Sequence, residues 1–389
     1  MTSSVAAVLG AAATAVAAAA PAAPAASPAS GARALPAGLA PADMRPLAEP
    51  ARMVFGRLRA ADLGLVINTR DPYSVAVGAH YAQRRGLTDS QILRVDLPPQ
   101  TTLSPEQFEA LRQAIDRHFG FRAQALALAW VAPYAVQCNS LVGALALGFD
   151  AALCSNTCQA SRPSPYANST STRPYSELRV RPAMHLAARD VDEAKALIER
   201  GVAADGSQAA GDAAGSDAAP PEASRRPLAV FVRTADKPRA VRTRLYPSAT
   251  LTEWRGLQLQ QVQGLAQMPQ QRLMLVSVGA ALLPGIPESG WLPGALADHL
   301  TSFGGDLLGQ HGQATALRWI SAGATASHGA VSEPCNHLQK FPHPQWLMAH
   351  YVQGATAIEA YWKSVMWPQQ SVFVGEPLAA PFAPAPVAR

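Results

Sequence analysis

Between residues 63 and 131 the chain reads strand, helix, strand, helix, strand, and few folds accommodate that order. Leu63-Gly-Leu-Val-Ile-Asn68 is a short run of bulky apolar residues ending in a polar one, as expected of a strand buried on both faces. A turn follows at Arg70-Asp71-Pro72. Residues 74–85 then carry Val75, Val77, Ala79, Tyr81 and Ala82 at helical spacing, with Ser74 as the predicted N-cap and Gly86 as the stop beyond Arg84 and Arg85. Residues 92–97 read as a second strand. Ser104-Pro105-Glu106-Gln107 supplies a cap, a proline for the first turn and an early acid, so a helix is expected from there to about His118. Residues 125–131 make the third strand. This order implies parallel strands joined by right-handed crossovers.

The alternation resumes later. Residues 190–201 form a helical pattern behind Asp190, and strands are expected at 228–232, 257–262 (weaker), 272–278 and 322–326. An Arg-rich helix is expected over 238–254, and Asp298-His299 is read as helical. Residues 138–181, rich in Ser, Thr, Asn and Pro, read as a long cysteine-containing surface excursion. Residues 203–226 lack aromatic residues and are dominated by Ala, Gly, Asp, Ser and Pro, which predicts a flexible insertion. The fold class that follows is α/β: a mainly parallel sheet with helices on both faces, three-layered, in a single domain over residues 61–382.

Met1-Thr-Ser-Ser leads into an apolar Ala/Val/Leu stretch over 5–20, and Ala23-Pro24-Ala25 has the small-x-small form of a signal-peptidase site. Residues 1–25 therefore read as a signal peptide and 26–60 as an Ala/Pro-rich tether. A periplasmic or secreted location follows, with no stable membrane span after cleavage. The four cysteines, Cys138, Cys154, Cys158 and Cys335, are then expected in disulfides. Cys154 and Cys158 are close enough to close a small loop, which would leave Cys138 to meet Cys335. The net charge of +5 is spread without a basic block or interleaved aromatics, so the footprint of a nucleic-acid binder is missing.

In open parallel sheets ligands collect outside the carboxyl ends of the strands. Arg70 and Asp71 stand there as candidate ligand-binding residues, and equally as an ordinary turn and helix cap. Gly304 and Gly305, after Ser302, are candidates for backbone contact with a ligand oxygen. His328, placed at a strand end with Glu333 five residues on, is a candidate acid/base pair or a structural histidine. Cys335, His328 and His337 also raise a metal-binding reading, although their spacing matches no standard zinc pattern.

Several landmarks occur in order: Asn68-Thr69-Arg70-Asp71-Pro72-Tyr73-Ser74, Thr301-Ser302-Phe303-Gly304-Gly305, Gly323-Ala324-Thr325-Ala326-Ser327, Glu333-Pro334-Cys335 and Gly375-Glu376-Pro377-Leu378. Over residues 62–382 they resemble an uncharacterised bacterial exported-protein family. The resemblance implies export and fold, without a chemistry. Gly375-Glu376-Pro377 also faintly resembles the Gly-Asp-Pro of gingipain-type cysteine peptidases, whose domain is caspase-like. The catalytic positions of that family do not follow: Val278-Gly279-Ala280 has no histidine and the region of Ser302 has no cysteine. The expected function is therefore binding of an envelope polymer or peptide at the sheet's carboxyl edge by a non-catalytic or divergent domain. Two alternatives stand beside it: a peptidase-like hydrolase with His328 as base and Cys335 or Ser302 as nucleophile, and a metal site of His328, Cys335 and His337. The cofactor, if one is used, is not legible.

Overall fold

The computed structural model describes residues 46–209 and 226–384; the expected signal peptide and most of the expected 203–226 insertion lie outside them. From Leu47 onward the chain makes one compact unit. Its first strand, β1 (Leu63–Asn68), is buried along its whole length, as its unbroken apolar sequence requires. The first helix, α1 (Pro72–Arg85), begins two residues before the predicted Ser74. Asp71 is its N-cap and accepts from the Tyr73 amide, Pro72 sits in the first turn, and Gly86 closes it at φ 64°. The Ser74 hydroxyl instead accepts from the Asn68 amide at 2.8 Å. After β2 (Ile92–Val95) and the short β3 (Thr102–Leu103), α2 (Pro105–Phe119) starts on the predicted Ser104–Gln107 capping box.

Then come β4 (Ala125–Leu128), β5 (Ala135–Val136), β6 (Asn139–Ser140), α3 (Leu141–Leu147), α4 (Ala151–Ser155), α5 (Pro174–Leu178), β7 (Ala183–His185) and α6 (Val191–Ala204). The second half contributes β8 (Leu228–Arg233), β9 (Glu253–Trp254), β10 (Leu257–Gln263), β11 (Leu273–Gly279), β12 (Trp291–Leu300), α7 (Leu317–Ala322), β13 (Ala326–Ala330), α8 (Pro344–Val352), α9 (Ala357–Ser364) and β14 (Ser371–Gly375). The Arg-rich helix expected over 238–254 is a single 3-10 stretch, Ala240–Leu245. Asp298-His299 lies on strand β12 rather than a helix, and residues 322–326 end α7 and only begin β13.

One sheet of 11 strands runs β2-β1-β4-β7-β14-β13-β12-β11-β8-β10-β9. Strands β2, β1, β4 and β7 form one parallel block, and β13, β12, β11, β8 and β10 another. Edge strand β9 is antiparallel. Between the blocks, β14 pairs antiparallel with β13, from Ala326 opposite Gly375 to Ala330 opposite Ser371. It meets β7 at one position, Val374 opposite His185, through a bridge of parallel form. A lone bridge does not set a strand's direction; its ends do. Glu376, just after β14, is bonded to Arg85 at the last residue of α1, at the edge opposite the carboxyl end of β1. Tyr134, beyond β4, donates to Asp306, beyond β12, at 2.7 Å. Both parallel blocks therefore open their carboxyl ends to the same edge, and β14 descends from it. The sheet is mixed, not wholly parallel.

Helices cover both faces. On one, α1 packs on α6, and Arg200 of α6 donates to the carbonyls of Ile320, in the last turn of α7, and Ala324, just after it. On the other, α8 and α9 pack together, with Trp362 against Phe373 of β14 at 4.9 Å between rings. Residues 138–181 are surface only in part. Leu141, Val142, Ala144 and Tyr166 are fully buried in the main core, and Lys363 of α9 donates to the carbonyls of Ser169 and Ser171. The expected tether also ends early: Leu47, Val54 and Leu58 are buried, and the amides of Arg52, Val54 and Leu58 donate to Asn168, Gln353 and Glu359. No helix among the described residues is long and apolar enough to cross a membrane.

Candidate functional site at the carboxyl edge

The loops leaving β1, β2 and β4 are locked to one another before any side chain faces solvent. Asn68, at the end of β1, accepts from the Leu97 amide at 3.0 Å and donates to the Leu97 carbonyl at 3.2 Å. Tyr73 spans to the chain after β7, donating to the Leu186 carbonyl at 3.0 Å and accepting from the Ala188 amide at 2.8 Å. Burial, as the largest effect, raises the Tyr73 phenol well above its ordinary range, so it stays a neutral donor. These pinned loops enclose a cavity of about 390 Å³ with Tyr73, Leu97, Thr101, Val131 and Ala132 among its walls and Leu308 at its side. Mostly apolar walls with a few fixed polar groups are the usual makeup of a small-ligand site.

Leu308 belongs to the loop after β12, and that loop carries the most organised polar group of the edge. Asp306, its side chain only 3% exposed, accepts from Tyr134 Oη at 2.7 Å, His311 Nδ1 at 2.7 Å and the His311 amide at 3.1 Å. Burial pushes the Asp306 carboxyl up, but the bonds from Tyr134 and His311 outweigh it and hold the group below the ordinary aspartate range. In a neutral ring, an ionised acceptor at Nδ1 favours the tautomer with its proton on Nδ1 and its acceptor at Nε2. The His311 ring is 45% exposed and stacks on Phe303 at 4.0 Å and 5°. Neither Asp306 nor His311 was signalled by the sequence, because five residues of Gly-containing loop impose no geometry on an acid and a histidine.

The residues singled out from the sequence are placed otherwise. His328 is not at a strand end: it sits inside β13, fully buried, bonded through Nε2 to Ser371 at 2.9 Å and packed between Phe341 and Phe373. Burial holds its imidazole well below the ordinary range, hence neutral. No bond joins it to Glu333, which accepts from the Cys335 amide at 2.8 Å and shapes its own loop. Cys335 is oxidised. It pairs with Cys158, and Cys138 pairs with Cys154, so the bridges exist but the expected pairing is exchanged. Folding brings the strand-like β5–β6 corner beside α4, where Cys138 meets Cys154, and leaves Cys158 one turn further on for the 333–336 loop. A disulfide sulfur is neither a thiolate nucleophile nor a metal ligand, and no group of three His, Cys, Asp or Glu among the described residues is placed to hold a metal.

Ser302 is nearly buried at 8% exposure, and no hydrogen bond joins it to His328 or His311. The amide of Gly305 is spent on the Ala330 carbonyl at 2.8 Å. A Cβ on Gly305 would lie 2.7 Å from the Gly329 carbonyl oxygen, and one on Gly329 would lie 2.1 Å from the Gly304 carbonyl carbon. These glycines let the loop press on β13, which does not require a ligand. Arg70 pairs with Asp96 at 3.3 Å, both well exposed, and Asp71 caps α1; both also line the cavity. On β12, Asp298 pairs with Arg242 inside the protein, and burial lifts its carboxyl although Arg242 opposes the shift. His299 accepts at Nδ1 from Trp319 Nε1 (3.0 Å) and donates from Nε2 to the Ala314 carbonyl (2.9 Å). Burial lowers its pKa to about 4.

No family model matches the chain, and no match was found among curated proteins. Among solved structures it is similar to the crystal structure of the Arg-specific cysteine proteinase gingipain R, at 12% identity with a TM-score of 0.41, covering 85% of this chain and 80% of that one. The likeness is distant and of low identity, and neither a motif nor a family is fixed by it.

Proposed function

We propose that the protein is an exported binding protein that seats an apolar group of an envelope polymer or peptide in the cavity at the carboxyl edge. The cavity itself carries this reading: it is the place where pinned loops from both parallel blocks leave accessible apolar walls, while His328, Cys335 and Gly305 are committed to structure. Export is supported by the two disulfides, which use all four cysteines and suit an oxidising compartment. The test is a calorimetric titration with solubilised envelope glycan and peptide fragments, comparing the parent with Leu308→Arg. Leu308 is 56% exposed, so the substitution changes the cavity mouth without breaking the core. Binding weakened about tenfold or more by Leu308→Arg is the expected result; no binding fragment, or identical affinities, sinks the reading.

The Asp306–His311 pair favours a second reading, hydrolysis with water as nucleophile. A carboxylate that orients an imidazole through Nδ1 leaves Nε2 able to take a proton from water as it attacks an ester or amide carbonyl, and to return it to the leaving group. A panel of chromogenic esters tests it. Under this reading His311→Asn abolishes turnover and Cys335→Ser does not. The absence of turnover, or turnover indifferent to His311→Asn, removes it.

A further inference from the structure

The geometry points to a second binding site, at the amino edge of the first block, that takes an organic anion with an apolar body. Arg181 stands just before β7, and its guanidinium donates to the carbonyls of Ala123 and Gly120, which precede β4. Beside it lies a hollow of about 460 Å³ between the last turns of α2 and α3 and the chain around α5. Four arginines line this hollow, Arg112, Arg162, Arg179 and Arg181, with one acid, Asp116.

The charges do not cancel. Glu109 and Asp116 bond Arg112 at 2.7 and 2.8 Å, and Asp116 also bonds Arg181 at 2.9 Å. That leaves Arg162 and Arg179 without an acid partner among the described residues. Both are nevertheless held. Arg162 donates one N–H to the Leu147 carbonyl at 2.9 Å, and the Arg179 guanidinium lies over the Phe121 ring, 4.4 Å from its centroid. Each keeps unspent N–H groups in the fork geometry that matches a carboxylate or phosphate.

Part of the wall is apolar, with Leu145, Leu147, Pro165 and Leu178 in the same lining. Tyr175, also in the lining, is fixed beneath Arg181 at 3.5 Å. An inorganic anion would satisfy the guanidiniums and waste this wall. A rigid apolar acid satisfies both. The site is separate from the carboxyl-edge cavity and does not depend on it.

The test uses 2-naphthoate on the full chain, followed by fluorescence, with methyl 2-naphthoate as the uncharged match and inorganic phosphate as the charge without a body. Naphthoate is expected to bind about tenfold or more tighter than its ester, since each charged hydrogen bond contributes roughly that factor. Arg162→Gln with Arg179→Asn should erase the preference, Asn being tolerated at the left-handed φ of 59° that Arg179 adopts. Leu308→Arg should leave it intact. The single change Arg162→Gln, at an exposed residue outside any helix, repeats the test should the double variant fold poorly. Equal affinity for acid and ester, or a preference that survives these substitutions, overturns the proposal. Phosphate binding as tightly as naphthoate overturns the apolar half of it.

Discussion

Five histidines lose their usual role as exposed titrating groups. Burial lowers the pKa of His185, His299 and His343 to about 4 and of His350 to about 3, and His328 is also held well below the ordinary range. Each is neutral when folded and free to protonate when unfolded. Their contribution to stability is complete above about pH 6.5 and is lost as the pH falls toward 4, at up to about 1.4 kcal/mol per pH unit for each. The urea midpoint should therefore drop clearly between pH 7 and pH 5.5; a flat profile would contradict the assignment of these rings as buried and neutral. The sequence marked His328 and His299 as notable but not as core, because a histidine among small apolar residues reads alike on a strand end or within a strand. What decides it is the neighbouring strand, Phe373 opposite His328, which lies 45 residues away.

At the scale of elements, local signals were legible and pairings were not. Asp71 with Pro72, the Ser104–Gln107 box and Asp190 all mark helix starts that exist, since capping is a contact within one turn. Residues 238–254 misled because charged residues at helical spacing carry no information about the carbonyls that Arg242 and Tyr246 reach in β8 and β11 and beyond. The disulfides show the same limit: proximity in sequence favoured Cys154 with Cys158, while α4 turns Cys154 back to Cys138. The Cys138–Cys154 bridge spans 16 residues and Cys158–Cys335 spans 177. Chain entropy predicts that replacing the longer pair by serine costs more stability, about 5 kcal/mol against about 3 kcal/mol. Peptide mapping without reduction should recover these two pairs, and denaturant midpoints of the two double-serine variants should fall in that order.

For the whole molecule, the α/β class was legible from strand–helix alternation, whereas the reversal at β14 was not, because a buried strand reads the same in either direction. Residues 47–62, ahead of β1, are part of the domain. Compared with a chain beginning at Leu47, one beginning at Arg59 should lose roughly 3 kcal/mol or more through the buried Val54 and Leu58 and the bond from the Leu58 amide to the buried Glu359 carboxylate. Equal midpoints for the two would refute that packing. The central claim is that ligands are taken at the shared carboxyl edge of the two parallel blocks. Hydrogen exchange followed by mass spectrometry, with and without soluble envelope polymer, tests it most directly. Slowed exchange confined to residues 97–101, 131–134 and 303–311 is predicted; unchanged exchange there, with protection elsewhere or none, would contradict it.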